Sequence, residues 1–244
     1  MKAILTSSLG GSIKRDGMRI PTPLLGDNGL IEKIKEYWND DTKILLISAS
    51  PDEYERNDGI ISCLKHSFPM SGLKVSQILM CDRRSEELIE QLNDMDVVLL
   101  LGGHVPTQNA FFKKLGLREK LQKYKGLVIA WSAGSMNCAD IVYAAPEAPG
   151  EAVDPNYQRF IPGLGLTRIN IFPHYQDIKE EILDGMRVME EIVYPDSIGH
   201  EFLAMIDGSY IVIDDGETLY GEAYSIKDGQ IKILCKNGEA IKLS

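Results

Sequence analysis

Short apolar runs alternate with amphipathic stretches through the first 140 residues of this 244-residue chain. Lys2–Ser7, Lys43–Ser48, Leu73–Leu79, Val97–Leu101 and Leu127–Trp131 carry the leucine and β-branched content of buried strands. Gly29–Asn39, Glu53–Phe68, Ser85–Leu92 and Gln108–Lys123, lying between them, carry the spacing of amphipathic helices. This alternation predicts βαβ units around a mainly parallel sheet with both faces covered, joined by right-handed crossovers. Functional groups are then expected beyond the carboxyl ends of the strands.

The second half follows a different pattern. Ala144–Gly165 is rich in Pro, Gly and acidic residues and reads as a long loop, Leu166–Phe172 as a strand, and Asp177–Val193 as a helix. From Ser197 onward, short β runs are separated by Asp207-Gly208, Asp215-Gly216, Asp228-Gly229 and Asn237-Gly238, which predict hairpins attached to the main sheet. Leu9–Leu25 reads as an extended N-terminal loop, placed to cover the site or join a subunit interface. With no repeat or linker dividing the chain, residues 1–244 are expected to form one domain. The fold class is a three-layer α/β/α sandwich with a mainly parallel sheet and C-terminal antiparallel hairpins.

Charge narrows the partners. Against 36 acidic residues stand 26 Lys and Arg, a net charge of −10 with no basic run, which argues against nucleic acid and anionic membranes. No stretch reads as a signal peptide or membrane span. Cys63, Cys81, Cys138 and Cys235 show neither C-x-x-C nor zinc-type spacing, so they are expected to be reduced thiols in a cytoplasmic protein without structural metal. No metal or organic cofactor is expected. G-x-G-x-x-G and P-loop patterns do not occur.

The chemistry concentrates in LVIAWSAGSMN, residues 127–137. A strand stops at Ser132 and small residues open a helix, close to a G-x-S-x-G nucleophile elbow with Ala130 in the first position. An N-cap serine at an ordinary strand–helix junction gives the same local pattern. A nucleophile also needs a base and a group to orient it. His174, after Phe172-Pro173 at a strand end, is the best placed of the four histidines. Gly102-Gly103, ending another strand, can bring a backbone N–H close to a ligand, so Gly103 and Ala133 are candidates for an oxyanion hole. His104 is a candidate substrate contact. Several carboxylates, among them Glu147, Glu151, Asp154, Asp177 and Glu201, compete for the acid role on spacing alone.

LLLLGGH, AWSAGSMN, INIFPHY and IGHEFLAMIDG, in that order, resemble the peptidase E (aspartyl dipeptidase) family, related to cyanophycinases and more remotely to class I glutamine amidotransferases. The resemblance is most specific over residues 96–140 and 166–210. It implies a glutamine-amidotransferase-like fold and a serine peptidase acting on short peptides, of aspartyl-X type. It implies Ser132 as nucleophile, His174 as general base and Glu201 as the orienting acid, with Glu147 the competing acid or a substrate contact. His104 stands where the family usually has Asn, and Tyr143–Glu147 departs from the family segment, which points to a weaker aspartyl preference. A homodimer is compatible with this resemblance. The alternative from another class is a small-molecule binding or regulatory protein that keeps the fold without turnover.

Overall fold

The computed structural model describes residues 2–15 and 18–243. Strand β1 (Lys2–Thr6) is followed by a hairpin of β2 (Gly10–Arg15) and β3 (Met18–Leu24), then α1 (Leu30–Lys35), β4 (Lys43–Ile47), α2 (Tyr54–Met70) and β5 (Gln77–Cys81). A 3-10 segment, Glu86–Asp94, leads to β6 (Val97–Leu100), α3 (Val105–Lys114), α4 (Leu117–Leu121), β7 (Leu127–Trp131) and the short α5 (Ala133–Met136). Then come β8 (Ile141–Tyr143), β9 (Phe160–Pro162), β10 (Asn170–Phe172), α6 (Tyr175–Ile178), β11 (Ile182–Leu183) and β12 (Met186–Arg187). A π-helical turn, Val188–Val193, and α7 (Tyr194–Asp196) precede β13 (Glu201–Met205), β14 (Tyr210–Asp214), β15 (Gly216–Tyr220), β16 (Ala223–Lys227), β17 (Gln230–Cys235) and β18 (Ala240–Leu243).

The main sheet has the order β18-β15-β14-β1-β7-β6-β4-β5. Its β1, β7, β6, β4 and β5 run parallel, and β14, β15 and β18 add an antiparallel edge. Period-2 alternation sorts its side chains. Leu5, Leu45, Val98, Leu100 and Val128 face α3, α4 and the 3-10 segment. Ile4, Ile44, Leu46, Leu99 and Ile129 face α1, α2 and the β2–β3 hairpin. Both faces are therefore apolar, as a parallel sheet between helical layers requires.

The C-terminal strands divide between two sheets rather than all joining the main one. A second sheet, β10-β13-β16-β17, packs Ile171, Leu203 and Met205 toward the first core. Its other face buries Phe172, Phe202, Ala204 and Ile226 against Val188, Met189, Ile192 and Val193. Asp215-Gly216 and Asp228-Gly229 do close hairpins. Asp207-Gly208 and Asn237-Gly238 instead carry the chain from one sheet to the other.

Two further expectations are corrected. Asp177–Val193 is not one helix: Asp184 and Gly185 both adopt positive φ (53° and 83°) and close the β11–β12 hairpin. An Asp-Gly pair favours that turn more than apolar spacing favours a helix. Leu9–Leu25 is largely the β2–β3 hairpin, with Leu9 and Leu24 packed among α2 residues; Asp16 and Gly17 lie outside the described residues. No helix among the described residues is long and apolar enough to cross a membrane.

Candidate active site

The carboxyl ends of β6, β7 and β10 meet around one cavity of about 110 Å³. Ser132 stands at its base, between β7 and α5, with φ 53° and ψ −123°. A non-glycine residue held there costs about 1–3 kcal/mol, so the surroundings must enforce it. They do so with backbone bonds. The Ser132 N–H points to the carbonyls of Thr6 and Ser7, each at 3.1 Å, and the Met136 N–H returns to the Ser132 carbonyl at 3.0 Å. The Ser135 hydroxyl also donates to the Thr6 carbonyl at 2.8 Å, tying α5 to β1. Gly134 allows α5 to lie against β6, since a Cβ there would stand 2.5 Å from the Leu100 carbonyl oxygen.

Gly103 and Ala133 line the same cavity as Ser132. Ala133 opens a helix, so its N–H lies outside the intrahelical ladder and is available to a ligand. A buried amide network holds the two loops together. Asn137 donates to the Gln108 side chain at 3.1 Å and the Val105 carbonyl at 3.2 Å, while Gln108 donates to the Leu101 carbonyl at 2.6 Å.

His174 follows Pro173 in the left-handed region, φ 56° and ψ 30°. Its N–H donates to Ser7 Oγ at 2.8 Å. Ser7 Oγ in turn donates to Asp207 Oδ1 at 2.8 Å, and the same carboxylate oxygen sits 2.7 Å from His174 Nδ1. Burial pushes the Asp207 carboxyl up, but the bonds from His174 and Ser7 outweigh that and hold it below the usual carboxylate range. An ionised acceptor fixes the proton on Nδ1 and leaves Nε2 with the lone pair a general base needs. Among the described residues Ser132 and His174 share the cavity without a direct hydrogen bond, the loose geometry common before substrate arrives.

The expectation that Glu201 orients His174 is corrected by strand direction. β10 and β13 are parallel, with Phe172 opposite Ala204, so the group near His174 must follow Met205. Glu201 begins β13 at the far end, six residues or roughly 20 Å of strand from Asp207. Its carboxylate accepts Ser225 Oγ at 2.7 Å and pairs with Lys227 at 3.2 Å. Glu147 is not bonded to His174 either. Its Oε1 accepts the Val105 N–H at 2.9 Å, at the start of α3, and its side chain lines the cavity. The residue is exposed to solvent, yet surrounding protein desolvates its carboxyl and pushes it above the usual range, with the Val105 N–H and the nearby histidines only partly opposing this.

His104 does not line the cavity. Its Nδ1 meets Thr107 Oγ1 and its Nε2 meets Glu151 Oε1, both at 2.7 Å. Glu151 Oε2 receives the N–H groups of Glu147 and Ala148, so His104 anchors the loop that carries Glu147. His174, Asp177 and Asp207 each offer a ligand atom within 4.8 Å of the others, the spacing a metal ion needs, although two of the three are already bonded together.

Sequence reasoning missed Asp207 and Ser7. The Asp-Gly signal marked position 207 as a turn, and Ser7 carried no local signal because its partners are 167 and 200 residues away.

A model of peptidase family S51 matches residues 27–220. No curated protein matches the chain. The crystal structure of a peptidase from an acI-B1 Actinobacterium superposes with a TM-score of 0.65 at 17% identity, covering 99% of this chain and 96% of that one. A putative peptidase E protein from Listeria monocytogenes EGD-e gives 0.52 at 16% identity, covering 100% and 98%.

Proposed function

The chain belongs to peptidase family S51, which makes it a serine-type peptidase, and from that premise we propose that it hydrolyses short peptides through Ser132, His174 and Asp207. The observation that carries this reading is the 2.7 Å bond between His174 Nδ1 and Asp207, beside the strained elbow of Ser132. His174 Nε2 takes the Ser132 proton as Oγ attacks the scissile carbonyl, and the N–H groups of Gly103 and Ala133 receive the developing oxyanion. The imidazolium then protonates the departing amine, leaving an acyl-enzyme. Water, deprotonated by the same imidazole, attacks that ester and releases the acid and Ser132.

The size limit rests on the cavity. Ala145, Pro146 and Glu147 line it on one side and Phe172, Leu183 and Val188 are among the residues that close it further, leaving a small recess beside Ser132 rather than a long groove. The reading keeps a cytoplasmic setting, in line with four free, buried cysteines, and a homodimer, which light scattering reads directly.

A fluorophosphonate probe should label the wild-type protein and not Ser132→Ala. Di- and tripeptides should be cleaved while a ten-residue peptide is not cut internally. Near-normal hydrolysis by pure Ser132→Ala would sink the nucleophile assignment, and efficient internal cleavage would sink the size limit.

A further inference from the structure

The walls of the cavity carry more information than its catalytic edge. The titratable residues among those lining it are Glu147, His174 and Glu181, and the lining includes neither Lys nor Arg. The rest of the wall away from Ser132 is apolar, formed by Met136, Phe172, Ile178, Leu183 and Val188 among others. None of Arg56, Arg159 and Arg168 lines the cavity. Arg159 lies 3.6 Å from Asp196 and donates to the Ala152 carbonyl at 3.2 Å. Arg168 lines a different depression, beside Glu201 and Leu243. Arg56 donates to the Gly102 carbonyl at 3.4 Å, is paired with Glu53 at 3.0 Å, and does not itself line the cavity.

An acidic side chain entering here would meet carboxylate and hydrocarbon, with no cation to replace its water. A cation on an apolar residue meets the opposite situation. One oxygen of Glu147 is held by the Val105 N–H, which fixes the carboxylate, and the carboxylate is accessible from the cleft. The loop behind it is pinned by Glu151 to His104 and by Asp184, which accepts the N–H groups of Gly150 and Ala152. The acceptor is therefore preorganised rather than mobile.

Resting on the assignment of Ser132 as nucleophile, we propose that this cavity is the subsite for the substrate's N-terminal residue. Glu147 receives the free α-ammonium group, and the Met136, Phe172, Leu183 and Val188 wall receives an apolar side chain. The substrate class is then short peptides with a free amino terminus and a neutral, apolar first residue, not aspartyl peptides. The cavity volume suits a single residue on that side of the scissile bond. A substrate lysine would present the same ammonium chemistry from its side chain, and the test separates the two sources.

Binding to Ser132→Ala reads the subsite without turnover. Isothermal titration would compare L-leucinamide, N-acetyl-L-leucinamide, L-aspartamide and N-acetyl-L-lysinamide, in Ser132→Ala and in the double variant with Glu147→Gln. Gln keeps an oxygen for the Val105 N–H, so the loop retains its anchor. L-Leucinamide should bind about 10- to 100-fold tighter than its acetylated form, the range of a hydrogen bond to a charged group. That preference should fall to within about threefold in the double variant. Equal binding of the free and acetylated forms, a preference that survives Glu147→Gln, or no binding at all would each overturn the proposal. So would tighter binding of L-aspartamide, or of N-acetyl-L-lysinamide, than of L-leucinamide. Failure of Ser132 to react with a fluorophosphonate leaves these binding outcomes intact and instead removes the hydrolytic assignment.

Discussion

Replacing Asp207 by Asn tests the orienting acid with minimal change of shape. In the wild-type protein one carboxylate oxygen accepts from both His174 Nδ1 and Ser7 Oγ, at 2.7 and 2.8 Å. An amide holding its oxygen in that place can still accept from both but brings no negative charge, and the flipped amide turns its NH2 group toward both. In the flipped form the imidazole moves its proton to Nε2, where it faces Ser132 and cannot take a second one. The negative charge that stabilises the imidazolium is lost as well. A triad that loses its acid in this way falls about 10⁴-fold in kcat, equivalent to about 5 kcal/mol of transition-state stabilisation. The assay is steady-state hydrolysis of a short peptide by Asp207→Asn and Glu201→Gln, with thermal unfolding as a control for folding. Glu201 is an exposed residue at the start of β13 whose pairing with Lys227 is worth at most about 1 kcal/mol, so its variant should keep kcat within about threefold. Asp207→Asn keeping kcat within tenfold, or Glu201→Gln losing it, would refute the reasoning.

Ser7→Ala removes the hydroxyl that receives the His174 N–H and supports Asp207, so kcat should fall about 10- to 100-fold with KM little changed; a loss confined to KM would argue that Ser7 has no such positioning role. Gly134→Ala places a Cβ 2.5 Å from the Leu100 carbonyl oxygen, so denaturant unfolding should show a loss of about 1–3 kcal/mol, and unchanged stability would mean that α5 can move away from β6.

The parts of the site visible in the sequence are those made by consecutive residues. The strand, the serine and the small residues of 131–134 build the elbow locally, and Phe172-Pro173-His174 marks a strand end. The acid was not visible because an acid is defined by what its neighbour in space needs. Glu201 and Asp207 flank the same strand, and only the parallel pairing of β10 with β13 decides which end meets His174. The fold shows the same division. Short apolar runs set between amphipathic stretches marked the parallel strands, whereas Asp-Gly pairs looked alike whether they closed a hairpin, as at 228–229, or carried the chain between sheets, as at 207–208. At 184–185 such a pair sat inside an apolar pattern of helical spacing and divided it.

The sheet-to-sheet passage at Asp207-Gly208 also bears on when the proposed triad can form during synthesis. The proposed nucleophile belongs to the main sheet and the proposed base to the second, and the proposed acid lies on the passage between them. Asp207 is 75 residues after Ser132 in the chain. At ~5–20 residues per second a ribosome needs about 4 to 15 s to cover that distance. Throughout that interval the serine is already made while its acid does not exist, so a growing or truncated chain carries no assembled triad. On this assignment, hydrolytic competence waits until both sheets have been synthesised and docked.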